Sequence, residues 1–247
     1  MPRLLKVGVP DQVPPGFCAL GIMTKAPVPG MVKTRLQPPL TAMEAAALNV
    51  CLLRDTASAI SSAGAAAQGV AVFTPASSVS AYDGILPPDF YFIPQRGDAF
   101  GERLHNAVSD LLGAGFRACC LIDSDSPTVP ASVFAAAVEK LGHDRIVIGP
   151  SHDGGYYLIG MQRLCPRLFR EIDWSTPCVL EQTLERARES KLKVEMLPPF
   201  SDVDDAASLS RLCHELLEHG GSATAPATKE LLEQLIASEG RERIWPE

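Results

Sequence analysis

Apolar runs alternate with helical patterns along this chain, and that alternation restricts it to a layered α/β fold. "FCALGIM" (17–23), "GVAVFTP" (69–75), "FYFIPQ" (90–95) and "RACCLID" (117–123) read as successive strands. "RIVIGP" and "YYLIG" read as two short strands flanking "SHDGG", and "KVEMLP" (193–198) as the last. Helical patterns fill the gaps at 41–64, 99–115 and 130–142. A further helix is expected from about Thr176, with Pro177 suited to its first position. Two more fall near 205–218 and 227–238. Thr41 and Glu44 supply a capping box for the first helix, and Gly64 a stop. Strands separated by helices pair in parallel and are covered on both faces.

The chain has 247 residues, which suits one large α/β domain, and its 46% apolar content supplies a core. Residues 220–228, "GGSATAPAT", are the one flexible-looking connector. The expected organisation is a tail at 1–16, the main domain at 17–219, and a linker with a C-terminal accessory helix at 220–247. A role for that helix in forming a homodimer stays open.

The formal net charge of −7 argues against nucleic acid as a partner. No run approaches the ~18 apolar residues of a membrane span, and the start lacks the apolar stretch of a signal peptide. Seven cysteines with no C-x-x-C pair read as reduced thiols of a cytoplasmic protein.

In an open parallel sheet, ligands bind beyond the carboxyl ends of the strands. Every unusual cluster in this chain follows a strand: "TKAPVPGMVKTRL" after the first, then "DSDSPTVP", "SHDGGYY" and "PFSDVDD". Their common edge favours one site. In "DSDSP", Asp123 and Asp125 could share a cation such as Mg²⁺, which takes one or two carboxylates and completes its shell with water and phosphates. The alternative is a carboxylate that caps a turn before the next helix. Asp202 to Asp205 offer further carboxylates on the same edge.

Ser151, His152 and Asp153 do not form a hydrolase triad, because neighbours in sequence cannot converge as nucleophile, base and orienter. Gly154 and Gly155 instead suit close backbone approach to a ligand, with Asp153 aimed at it, or else a plain hairpin turn. The first loop is not a Walker A motif, since Gly30 is followed by Met31 and Val32, and it is not G-x-G-x-x-G. What remains is Gly30 with Lys25, Lys33 and Arg35, either a phosphate cradle or a solvated basic connector. Trp174 either lines an acceptor pocket or packs.

Six segments together, "KAPVPGMVKTRLQPPLT", "GDAFGERLHNA", "DSDSPTVP", "GPSHDGGYYLIG", "IDWSTPCVLEQT" and "DVDDAASL", resemble the bacterial DUF2064 family of nucleotide-diphospho-sugar transferase-like proteins. The resemblance runs in order from about Phe17 to Leu212. It extends to the GT-A-like superfamily, which includes the molybdenum-cofactor and phospholactate guanylyltransferases. It implies a Rossmann-like three-layer α/β/α sandwich with a mostly parallel, mixed sheet. It implies nucleotide binding by Lys25, Gly30, Lys33 and Arg35, and Mg²⁺ or Mn²⁺ at Asp125 and Asp204, with Asp202 close by.

Where the family usually has glycine this chain has Asp123, which makes Asp123 the weaker metal candidate. Ala206 and Ala207 replace part of the family's usual D-V-D-T-P-E, which weakens the expected helix start there. The expected activity is sugar transfer from a nucleotide-diphospho-sugar to a small acceptor. Asp125 and Asp153 are then the catalytic residues, and Gly154, Gly155 and Trp174 the substrate contacts. The alternative is nucleotidyl transfer from a nucleoside triphosphate to a phosphorylated acceptor with release of pyrophosphate. A non-catalytic nucleotide-binding module is a third reading.

Overall fold

The computed structural model describes residues 2–218 and 224–245. In chain order the strands and α-helices are β1 (Arg3–Leu4), β2 (Cys18–Lys25), α1 (Ala42–Ser61), β3 (Ala67–Thr74), β4 (Tyr91–Pro94), α2 (Phe100–Gly113), β5 (Ala118–Ile122), α3 (Ala131–Lys140), β6 (Arg145–Pro150), β7 (Tyr156–Met161), α4 (Val179–Glu189), β8 (Lys193–Met196), α5 (Ala206–Cys213), α6 (Pro226–Glu239) and α7 (Arg241–Ile244).

The eight strands form one sheet in the order β1-β4-β3-β2-β5-β7-β6-β8. All neighbours are parallel except where β7 runs against β5 and β6. The architecture is the expected mixed α/β sandwich. Because β7 is reversed, its amino end lies beside the carboxyl ends of β5 and β6. The β6–β7 turn therefore joins the loops after β2, β5 and β8 on one edge.

The central strands are buried on both faces. β5, "ACCLI", is buried at every position, and this continuous apolar run is the pattern that double coverage dictates. One core packs Leu20, Ile22 and Phe73 with Phe134 of α3 and Leu53 of α1. The other packs Val72, Leu121 and Ile148 with Val108 and Leu111 of α2. All seven cysteines are free, and only Cys178 is exposed.

The Thr41–Glu44 capping box forms as expected. Other expectations need correction. The helix expected from Thr176 begins at Val179, and Pro177 lies in the preceding turn. The expected N-terminal tail carries β1, which pairs with β4, and Leu5 and Val13 behind it are buried. Asp205 accepts the Ser208 N–H at 2.8 Å, and the Asp205 N–H donates to Ser208 Oγ at 2.9 Å, so α5 keeps a capped start despite the two alanines. Of the connector at 220–228, residues 220–223 lie outside the described residues.

α6 and α7 are more than an appendage. With α1, α5 and the 3-10 turn Thr34–Leu36 they enclose a third core, containing Leu36, Leu48, Val203, Leu209, Leu232 and Trp245. Asp55, buried in α1, accepts from the Ala227 and Thr228 N–H groups at 3.0 and 2.8 Å and from the Thr228 hydroxyl at 2.6 Å. It caps α6 from a distant part of the chain. Arg243 donates to Pro39 O at 3.2 Å and to Glu44 Oε2 at 3.0 Å, closing the same unit over the loop that follows Arg35.

These contacts generate two predictions. Asp55→Ala leaves three donors without an acceptor, two of them on buried Thr228, and should lower unfolding free energy by about 3 kcal/mol in urea titrations. A loss below about 0.5 kcal/mol would remove Asp55 as the α6 anchor. The hydrogen bond from Arg243 holds the Glu44 carboxyl down at about 2, against an ordinary 4.5. A depressed carboxyl stabilises above its unfolded pKa, and that stability is lost as pH falls through the folded value. The stability gap between the wild-type chain and Arg243→Met should be constant from pH 7 to about 5 and shrink from about 4.5 towards 2. A gap that ignores acid over that range would rule out the pair as its source.

Candidate functional site

The first loop leaves β2 at Lys25, whose side chain is exposed. Pro29 and Gly30 form the middle of a turn closed by the Met31 N–H on Val28 O at 2.9 Å. Gly30 takes φ +76°, which the third position of such a turn favours glycine to supply. It lies exposed at the tip and borders neither lobe of the cleft described below. Beyond it the loop dives inward. Val32 and Leu36 are buried, and Lys33 between them adopts a left-handed backbone with φ +48°. This anchoring excludes the reading of the segment as a solvated connector.

Lys33 borders the smaller lobe of the cleft, but its charge is held by the protein's own acceptors. Its side chain is only 4% exposed, and its ammonium lies 2.6 Å from Val203 O, 2.8 Å from Asp125 Oδ1 and 3.1 Å from Asp204 Oδ1. Burial works against the charge, but Asp125 and Asp204 outweigh it and hold the ammonium above the ordinary lysine pKa. Arg35 is 70% exposed, with Asp204 and Asp205 each 3.7 Å away. The two cations left for a ligand on this loop are Lys25 and Arg35.

After β5, Asp123 takes the turn-capping role. Its Oδ1 accepts from the Asp125 and Ser126 N–H groups, both at 3.2 Å, and its Oδ2 accepts the Ser126 hydroxyl at 2.8 Å. Burial and then the neighbouring Asp125 push its pKa well up. The turn folds "DSDSP" back so that Asp125 faces the cleft, where Ser124 Oγ donates to it at 2.9 Å. The Asp125 carbonyl accepts the Val203 N–H at 3.0 Å, joining this loop to the one after β8. Asp202 lies beside them. Burial first, then Asp153, Asp204 and Asp125, raise its carboxyl to about 6. This cleft has surplus negative charge on its carboxylate side.

The "SHDGG" segment is the tight turn between β6 and β7. Asp153 Oδ1 accepts the Gly155 N–H at 2.9 Å, which orients the carboxylate on the cleft wall. Gly154 has φ +91°, and a Cβ there would lie 2.2 Å from Pro177 O. Its small size serves contact with the chain's own Pro177 loop, and Gly154 is not one of the residues lining either lobe of the cleft. Gly155 and Trp174 do line the cleft. Trp174 meets Phe100 edge to face at 5.1 Å.

The cleft has two lobes, of about 520 and 290 Å³, which share Ser124, Asp125, Asp204 and Arg35. The smaller lobe reaches Lys25 and Asn49. The larger passes Asp153 and Asp202 and ends among Phe100, Leu104, Trp174 and Val179. Phe100, exposed and apolar beside the helix start of α2, is the wall residue that sequence reasoning missed. Its signal was its place in the "GDAFGERLHNA" segment.

The donor chemistry fits a hard divalent cation, since Asp125, Asp202 and Asp204 offer carboxylate oxygens on one wall. Among the described residues no three His, Cys, Asp or Glu side chains form a ready metal cage. A cation here therefore depends on water and phosphate for the rest of its shell.

Comparison with known proteins agrees with this fold. The family described as "Uncharacterized protein conserved in bacteria (DUF2064)" matches residues 56–176. A crystal structure from Desulfovibrio desulfuricans G20, described as a candidate nucleotide-diphospho-sugar transferase, is 30% identical, with 91% of this chain and 96% of that one covered and a TM-score of 0.79. Rv0371c from Mycobacterium tuberculosis H37Rv has the same fold at 13% identity, with 82% and 100% covered and a TM-score of 0.51. No curated protein matches the chain.

Removing Asp125 would leave the Lys33 ammonium without its nearest partner. Asp125→Ala should cost about 2 to 3 kcal/mol of stability, below the range for a fully buried pair because Asp125 is partly exposed. The more exposed Asp204→Ala should cost less, about 1 kcal/mol. Chemical denaturation checks both, and a larger loss at Asp204 than at Asp125 would contradict this account of the pair.

Proposed function

The chain belongs to the bacterial DUF2064 family, and from that premise we propose that it is a transferase using a nucleotide-activated donor, moving a sugar from a nucleotide-diphospho-sugar to a small acceptor. The observation that carries this reading is the continuity of the cleft. A cationic lobe with Lys25 and Arg35 opens through the carboxylates Asp125, Asp202 and Asp204 into an aromatic-walled lobe with Asp153 on its side.

In this reading the diphosphate lies against Lys25 and Arg35, which offset charge on the departing group. Mg²⁺ or Mn²⁺ held by Asp125, Asp202 and Asp204 would supply further neutralisation of that diphosphate. Phe100 and Trp174 provide an aromatic wall for the sugar or acceptor ring. Asp153, steadied by Gly155, orients the acceptor hydroxyl and takes its proton. The acceptor oxygen bonds to the anomeric carbon. The bond from that carbon to the β-phosphate oxygen breaks, and its electron pair leaves on the nucleoside diphosphate.

Nucleotidyl transfer is the competing reading. It needs cations for a triphosphate, and with Lys33 held by Asp125 and Asp204 the first loop offers two. That charge count favours the diphosphate donor.

Thermal unfolding with a panel of nucleoside diphosphates, triphosphates and nucleotide-sugars tests the reading. A ligand at ~100 Kd should stabilise by roughly 2.7 kcal/mol. A nucleotide-sugar that both stabilises the chain and releases its diphosphate when acceptor is added agrees with sugar transfer. Pyrophosphate release from a triphosphate would select the competitor, and no stabilisation by any nucleotide would defeat both. Asp153→Asn should then lower turnover by about 10² to 10⁴ while leaving nucleotide binding intact.

A further inference from the structure

We propose that Asn49 is a phosphate-binding residue of the smaller lobe, donating its side-chain N–H groups to the diphosphate of the donor. The inference deepens the nucleotide-donor reading and rests on it. Asn49 lies on α1, where its neighbours Leu48 and Leu52 fill the third core and Leu53 fills the first. Helical periodicity calls for an apolar side chain at a position so deep in the packing. The chain places an amide there instead. Asn49 is 5% exposed, and it is the α1 residue that borders the smaller lobe.

Asn49 Oδ1 is buried and has no hydrogen-bond partner among the described residues. An unpaired buried polar group costs stability, and an apolar side chain of similar shape would remove that cost. Lys33 and Ser124, the other buried polar side chains on this lobe, are satisfied within the protein. Lys33 donates to Val203 O, Asp125 and Asp204, and Ser124 donates to Asp125. Asn49 is therefore the buried group there whose partner must come from a ligand.

The charge of the lobe says what that ligand is. Lys33 is matched by Asp125 and Asp204, which leaves Lys25 and Arg35 to draw in an anion. Ionised phosphate oxygens accept hydrogen bonds, so they meet the Nδ2 end of the amide, which carries two donors. The terminal amide torsion is broad and roughly two-fold, so that end can turn to the lobe at little cost. Lys25 and Arg35 are exposed and attract the diphosphate without fixing it. An amide locked in a packed helix gives the phosphates one fixed point of contact.

Isothermal titration calorimetry on the purified full chain tests this. The probes are inorganic pyrophosphate and a panel of nucleoside diphosphates, each with and without Mg²⁺. Pyrophosphate carries the phosphates without base or ribose. Asn49→Leu keeps the bulk and removes the donors, and Asn49→Asp keeps the shape and puts a carboxylate in their place. Both variants should bind pyrophosphate and nucleoside diphosphate at least about tenfold more weakly than wild type. Without ligand, Asn49→Leu should melt no lower than wild type.

Unchanged affinity in the variants would overturn the proposal. So would a loss confined to the nucleoside diphosphate, which would place the contact on base or ribose. A loss of affinity joined to a fall in the unliganded melting temperature of Asn49→Leu would mark the residue as structural and overturn it too. Should one variant fail to fold, the other decides. Should both fail, a crystal structure of the wild-type chain with pyrophosphate decides: Nδ2 within about 2.7 to 3.2 Å of a phosphate oxygen supports the proposal, and a longer separation contradicts it. A wild-type chain that binds neither pyrophosphate nor any nucleoside diphosphate defeats the functional reading as well, whereas binding that survives in both variants refutes this inference alone.

Discussion

One buried ammonium organises the candidate site. Lys33 is contacted by the loop after β5 through Asp125 and by the loop after β8 through Val203 and Asp204. Without it, the carboxylates that face the cleft would repel one another across a partly desolvated wall. Burial first, and then such crowding, already raises Asp202. A buried charge is costly unless its donors are paired. Here all three are, so the arrangement is stable only when the three loops converge. The sheet makes that convergence possible by placing every contributing loop at one edge, including the β6–β7 turn through the reversal of β7.

The C-terminal helices complete this frame from behind. The 3-10 turn that follows Lys33 buries Leu36 in the third core, which is walled by α1, α5, α6 and α7. Asp55 fixes the start of α6, and Arg243 closes over Pro39 and Glu44. The loop that presents Lys25 and Arg35 thus has one anchored limb and one open tip. That division suits a ligand contact: the charge of Arg35 is held near the carboxylates, while the Val28–Met31 turn stays exposed.

The strands were legible because their apolar runs must fill two cores, and the helices because capping residues bound them. β1 escaped because two exposed residues, Arg3 and Leu4, carry no periodicity. The start of α4 was misplaced because Thr176 and Pro177 look like a helix opening, yet they form a turn that packs onto Gly154. The site was legible as a set of strand-end clusters, including the carboxylates and the cationic loop. The division of labour within it was not. Lys33 and Arg35 are equivalent in a basic motif, and what separates them is burial and the distant partners Asp125 and Val203 O, which Lys33 has and Arg35 lacks. Asp123 and Asp125 are likewise alike in sequence until the turn fixes one as acceptor for backbone N–H groups and turns the other towards the cleft.

The account comes down to where the phosphates of a donor lie relative to these cations. A crystal structure of the chain with a nucleoside diphosphate answers that directly. The account predicts phosphate oxygens against Lys25 and Arg35, with the Lys33 ammonium still held by Val203, Asp125 and Asp204. Phosphates bound by Lys33 with its carboxylate contacts broken, or bound away from this edge of the sheet, would contradict it.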